Sequence, residues 1–144
     1  MQYEQQVIID RPVAEVFAYM DDVSRESEWQ PNIVEAYQEP AGRTAVGTRK
    51  RYVSEFMGRR IENTYLTTAF GPNERVVYET TPDSALQAKV ELRWRSVPSG
   101  TEVTMTVAGK VTGALRLIPG RLLERAYRNE LETALGLLKE RLEG

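Results

Sequence analysis

Five turn signals break residues 32–111 into six short runs: Pro40-Ala41-Gly42, Met57-Gly58-Arg59, Gly71-Pro72-Asn73, Pro82-Asp83-Ser84 and Pro98-Ser99-Gly100. Each run is short enough to be a strand joined to the next by a tight turn, so the spacing predicts an antiparallel meander. Immediately after it, Leu115, Ile118, Leu122, Leu123, Ala126, Tyr127, Leu131, Ala134, Leu135, Leu138 and Leu142 recur at helical spacing. A meander followed by one long amphipathic helix is most simply stabilised by burying the helix stripe on one sheet face. Within residues 114–143, Pro119-Gly120 must either kink the helix or mark the start of its long part.

Ahead of the meander, residues 3–9 read as a strand ending in Val7-Ile8-Ile9. Asp10-Arg11-Pro12 then signals a helix start, with Asp10 as the candidate cap, and Val13, Val16, Phe17 and Met20 form its apolar face. Asp21-Asp22-Val23-Ser24 is a turn into a second short helix that reaches Trp29 and stops at Pro31. That helix is mostly charged and must lean on its neighbours. The expected order is one strand, two short helices, six strands and a long helix, an α+β arrangement in a single domain over 1–144.

The chemistry open to such a chain is narrow. Its 144 residues contain no His and no Cys, which excludes disulfides, thiolate nucleophiles, Ser-His-Asp triads and the usual zinc sites. A metal would have carboxylates and carbonyls alone as ligands; no metal site and no cofactor are expected. The net charge of −2, from 19 basic and 21 acidic side chains, gives no basic stripe for nucleic acid. The polar opening Met1-Gln2-Tyr3-Glu4-Gln5-Gln6 is not a secretory signal, and no apolar run approaches the ~20 residues of a membrane span. The expected address is the cytoplasm, as a monomer or weak homodimer.

Strand alternation shows which side chains share the helix-facing surface. Ala88, Val90, Leu92 and Trp94 alternate with Lys89, Glu91, Arg93 and Arg95, and Val103, Met105 and Val107 alternate with Glu102, Thr104 and Thr106. Pairing Trp94 with Val103 also sets Arg95 against Glu102 on the outer face. Pairing Phe56 with Ile61 around Gly58 puts Tyr52, Ser54 and Phe56 on one face with Ile61, Asn63 and Tyr65, unless an odd-length turn reverses the fourth strand. Thr67, Val76, Tyr78 and Thr80 continue that face. A solid core favours Leu, Ile and Val. The inward mixture of Tyr52, Asn63, Tyr65, Thr67, Tyr78 and Trp94 implies a cavity, or tyrosines near strand ends with their hydroxyls in bulk water.

The order of elements resembles the START-like superfamily of helix-grip proteins (the SRPBCC or Bet v 1-like group), and most of all its bacterial polyketide cyclase/dehydrase branch. The resemblance runs along the whole chain. It is carried by Ile9-Asp10-Arg11-Pro12-Val13-Ala14-Glu15-Val16-Phe17, by Asp22 to Trp29-Gln30-Pro31, and by Val46-Gly47-Thr48-Arg49. Gly100-Thr101-Glu102-Val103-Thr104 and Leu137-Leu138-Lys139-Glu140-Arg141-Leu142-Glu143 complete it. What it implies is a curved seven-stranded antiparallel sheet gripping the long C-terminal helix around an apolar cavity. Relatives use that cavity for lipids, sterols, polyketides and other flat hydrophobic molecules.

The candidate ligand-binding residues are therefore Trp29, Tyr52, Phe56, Asn63, Tyr65, Tyr78, Trp94, Met105 and Tyr127. Trp29 is either a plug anchoring the short helix or a ligand contact at the pocket mouth. Trp94 and Met105 suit core packing or a pocket wall. Tyr127, with Glu130 one turn on, is read first as a packing residue of the helix stripe. Of Arg49-Lys50-Arg51 only Lys50 should point inward, so the run is not read as an anion site. Leu115-Arg116-Leu117-Ile118-Pro119-Gly120 should pack under the sheet rim rather than gate the pocket. Glu62 and Glu79 should face outward, and no inward pair of carboxylates is visible. The preferred function is binding of a small hydrophobic or amphipathic molecule of lipid, polyketide or other aromatic type. The alternatives are a polyketide aromatase/cyclase or dehydratase in the same cavity, and an interaction protein docking a partner through its sheet.

Overall fold

A computed structural model describes residues 2–111 and 113–144, residue 114 by its backbone alone. Seven strands, β1 (Gln2–Ile9), β2 (Ile33–Glu39), β3 (Arg49–Phe56), β4 (Arg59–Gly71), β5 (Arg75–Thr80), β6 (Leu86–Val97) and β7 (Gly100–Val111), form one antiparallel sheet. Its order is β1-β7-β6-β5-β4-β3-β2. Two short helices, α1 (Val13–Asp21) and α2 (Glu26–Trp29), connect β1 to β2, and the long helix α3 (Gly120–Glu143) closes the chain. The six expected runs are the six strands β2 to β7, and the helix-grip arrangement is the one observed.

Trp94 faces Val103 and Arg95 faces Glu102 as the alternation predicts, and the latter pair is an ion pair at 3.2 Å. At Gly58 the turn is tighter than expected. Phe56 pairs with Arg59 and Ser54 with Ile61, a slip of two positions from the predicted register. Because side chains alternate with a period of two, that slip leaves every residue on its expected face. Tyr52 accordingly lies opposite Asn63. A bulge between Thr67 and Ala69 then re-aims the end of β4 before it pairs with β5.

The core lies between the inner sheet face, α1 and α3. Val16, Phe17 and Met20 from α1, Val76, Trp94 and Val103 from the sheet, and Leu131, Leu135 and Leu138 from α3 belong to one buried cluster. Pro119 is the residue before the first turn of α3, and a 3-10 turn over Gly113–Leu117 precedes it. The Pro-Gly pair thus marks the start of the long helix, without kinking it. Leu122 is a correction to the expected stripe: it is 49% exposed, because this first turn touches only a small satellite cluster of Phe56, Leu115 and Leu123. In the preceding apolar stretch Leu115 is buried and Leu117 is exposed.

Asp10 does not cap α1, whose N-cap is Pro12. Instead the Asp10 amide donates to Glu143 Oε2 at 3.0 Å. Arg11 donates to the Glu143 carbonyl at 3.0 Å, and Lys139 Nζ to the Ile8 carbonyl at 2.6 Å. These bonds clasp the junction of β1 and α1 to the last turn of α3. On the outer face, Arg51–Glu62, Arg75–Glu91 and Arg93–Glu91 ion pairs keep charge paired in solvent, each worth about 0–1 kcal/mol.

Candidate ligand-binding cavity

Between the inner sheet face, α2 and α3 lies a cavity of about 120 Å³. Its wall is mainly apolar, with Phe56, Leu86, Val90, Leu92 and Val107 from the sheet and Leu131 and Ala134 from α3. Polar groups interrupt it at a few places. Of the nine residues singled out from sequence, Trp29, Tyr52, Phe56, Asn63, Tyr65, Tyr78, Met105 and Tyr127 all stand on this wall. Trp94 does not. Its indole Nε1 donates to Met20 Sδ at 3.3 Å and its ring meets Phe17 edge-on at 4.8 Å. It is a core residue between α1 and the sheet. Thr67 is fully buried and also stands apart from the wall.

At the α2 end the polar groups form a connected set. Tyr52 donates to Glu26 Oε1 at 3.0 Å, and Gln30 Nε2 donates to Glu26 Oε2 at 2.6 Å. Glu26 is 4% exposed. Burial pushes its pKa up to about 7 against the pull of the Lys50 charge and of the two hydrogen bonds. Helical geometry sets Glu26 and Trp29, three positions apart, on one side of the single turn. Trp29 is 1% exposed, and its indole N–H has no hydrogen-bond partner among the described residues. Its ring lines the cavity and anchors α2, while the N–H itself is closed off from any water-sized space.

Lys50, the inward member of its basic run, is buried behind this wall. Its ammonium donates to the Asp21 carbonyl at 3.2 Å, to Asp21 Oδ1 at 3.4 Å and to the Tyr78 hydroxyl at 3.2 Å. It is held by α1 and is not a free anion site. Asn63 likewise has a structural duty, since its Oδ1 accepts the Leu86 amide at 3.0 Å.

The opposite wall comes from α3. Tyr127 stacks on Tyr3 at 5.7 Å and meets Phe56 edge-on at 5.8 Å, so it packs the helix and lines the cavity together. Glu130, one turn further on, also lines the cavity. No hydrogen-bond or ion-pair partner for its carboxyl exists among the described residues, and burial pushes its pKa up to about 7. Tyr65 lines the cavity with both carboxyls. Burial, then the Glu130 and Glu26 charges, push its hydroxyl up to about 12, so it is a hydrogen-bond donor at any physiological pH.

Two inward carboxyls are thus present, where the sequence predicts none. Glu62 and Glu79 are indeed exposed, but Glu26 and Glu130 reach the cavity from helices, which strand alternation does not describe. The Glu26-to-Trp29 spacing is the available signal for the first. The Tyr127-to-Glu130 spacing is the signal for the second. No group of acidic side chains able to hold a metal occurs among the described residues.

Residues 1–143 match the family model described as polyketide cyclase/dehydrase and lipid transport. The chain belongs to that family. Its backbone is similar to a START superfamily protein from Mycobacterium smegmatis, with a TM-score of 0.79 at 15% identity over 99% of this chain and 97% of that one. It is similar to the Zhui aromatase/cyclase from Streptomyces, with a TM-score of 0.78 at 15% identity, covering 99% and 93%. A protein from Thermus thermophilus gives a TM-score of 0.81 at 17% identity, covering 99% and 97%. At these identities the likeness is one of fold. Among curated proteins none matches the sequence. No helix of the described residues is long and apolar enough to cross a membrane.

Proposed function

We propose that this protein binds a small amphipathic ring compound in the cavity between the sheet and α3. The observation that carries the reading is a mainly apolar cavity with a few polar groups on its wall, among them the Glu130 carboxyl, which has no partner among the described residues. Glu130 is half-buried, and a bound molecule with a hydroxyl would give its carboxyl a donor. The apolar remainder supplies the non-directional part of the affinity. The small volume of the cavity and the aromatic side chains on its wall support a compact ring compound as the ligand. Native mass spectrometry of freshly purified protein tests this. A retained small molecule, or a midpoint of unfolding raised by added ring compounds, is expected; a protein that carries none and responds to none would overturn the reading.

A second reading, catalysis of aldol cyclisation and dehydration in the same cavity, is favoured by Glu26. A carboxyl held near neutral pKa is suited to take and return protons. In that role Glu26 would remove a proton from the carbon between two ketone groups, while tyrosine hydroxyls donate to the enolate oxygen. The enolate carbon adds to another ketone, whose oxygen receives the proton back, and loss of water follows. The solved relatives described as aromatase/cyclases support this alternative. Turnover of a poly-β-ketone that disappears in Glu26→Gln while binding persists would select it over binding alone.

A further inference from the structure

The cavity wall carries two carboxyls, Glu26 and Glu130, and among the described residues no lysine or arginine. The buried cation closest to it in the fold, Lys50, has its ammonium engaged by Asp21 and by the Tyr78 hydroxyl. The two acids are not equivalent. Both Glu26 oxygens already accept hydrogen bonds, from Tyr52 and Gln30, whereas the Glu130 carboxyl has no partner among the described residues. We propose that the cavity selects ligands whose polar group donates hydrogen bonds and carries no negative charge, and that Glu130 is the residue that sets this selection.

The inference rests on the binding reading above and adds the charge class of the ligand to it. A carboxylate or phosphate in this site would lose its hydration, meet no cation and face two acids, and buried charges without partners are strongly disfavoured. A hydroxyl or an amine would instead give Glu130 its missing donor, and charge-assisted bonds of that kind are the stronger ones. Fatty acids and phospholipid head groups are thereby placed outside the ligand class of this chain, although they are small amphiphiles too.

Four probes sharing one bicyclic ring test this: naphthalene, naphthol, aminomethylnaphthalene and naphthoate, titrated by calorimetry into the purified protein at about pH 8, where the amine is a cation and the acid an anion. Naphthol and aminomethylnaphthalene are expected to bind at least about tenfold more tightly than naphthoate. In Glu130→Gln that ratio between amine and acid should shrink by about tenfold, while naphthalene itself changes by less than about twofold. A purely structural role for Glu130 would move all four probes together. Naphthoate binding the unmodified protein as tightly as naphthol, or a ratio unchanged in Glu130→Gln, overturns the selection and leaves the binding reading standing. Binding of none of the four, naphthalene included, overturns the binding reading and this inference with it.

Discussion

The Tyr52 hydroxyl donates to Glu26 Oε1 at 3.0 Å and so ties strand β3 to the single turn of α2 across one end of the cavity. The bond fixes a carboxyl in a place that water scarcely reaches. Its consequences extend from stability to ligand choice.

Stability should depend on pH through Glu26. Burial raises its folded pKa from the ordinary 4.5 to about 7, so the folded state holds this proton more tightly than the unfolded chain. The stability associated with the proton is intact below pH 4.5 and is lost as pH rises through about 7. Urea denaturation at a series of pH values should show the unmodified protein losing ground to Glu26→Gln across that window, by roughly 3 kcal/mol at most. Parallel curves for the two proteins would contradict the buried placement.

The two tryptophans should report different surroundings. Trp29 lines the cavity, whereas Trp94 stands apart from it with its N–H bonded to Met20 Sδ. In a nitrogen-15 NMR spectrum, assigned with Trp→Phe variants, addition of a ring ligand should shift the indole signal of Trp29 clearly more than that of Trp94. The reverse order would place the ligand elsewhere.

Helix α3 should be sensitive on one side only. Leu138 is fully buried, while Leu122 is 49% exposed. Leu138→Ala should cost about 2–5 kcal/mol through the cavity it leaves, and Leu122→Ala no more than about 0.5 kcal/mol. Chemical denaturation of the two variants checks both values.

Removing the buried cation should be costly because its partners stay behind. Lys50→Ala leaves Asp21 and the Tyr78 hydroxyl without their donor, and a loss of about 3 kcal/mol is expected, at the low end for broken buried pairs because Asp21 keeps some contact with water. The Asp21 side chain is 19% exposed. Adding Asp21→Asn to Lys50→Ala should recover part of that loss, which a double-mutant cycle measures.

Strand periodicity makes the sheet legible without the structure. Ala88, Val90, Leu92 and Trp94 sit where alternation puts them, and even the two-residue slip at Gly58 could not move Tyr52 or Asn63 to the other face. Helical side chains are harder to read. The helix carrying Glu26 is one turn long, too short for a period to declare itself, and a charged residue in such a segment looks solvated. The burial of Glu26 comes from α3 and β2 packed against α2 and from the Tyr52 hydroxyl bonded to it, contacts made by the fold. Trp94 shows the opposite limit. Its inward direction is correct, but direction alone does not tell whether a helix or a void faces the ring, and α1 covers it. Lys50 points inward as alternation predicts, while its partner Asp21 belongs to an element whose position no local pattern states.

The sheet order also sets a timetable for synthesis. β2 to β6 pair each with its successor, so those hairpins can close as they leave the ribosome. β1, the first strand made, has only β7 beside it: Tyr3 waits for Val107 and Ile9 for Thr101. Closing so long a loop is slow, and until it happens β1 remains uncovered. The newborn chain therefore passes most of its synthesis with an unpaired strand at its front, the interval in which a chaperone has most to protect.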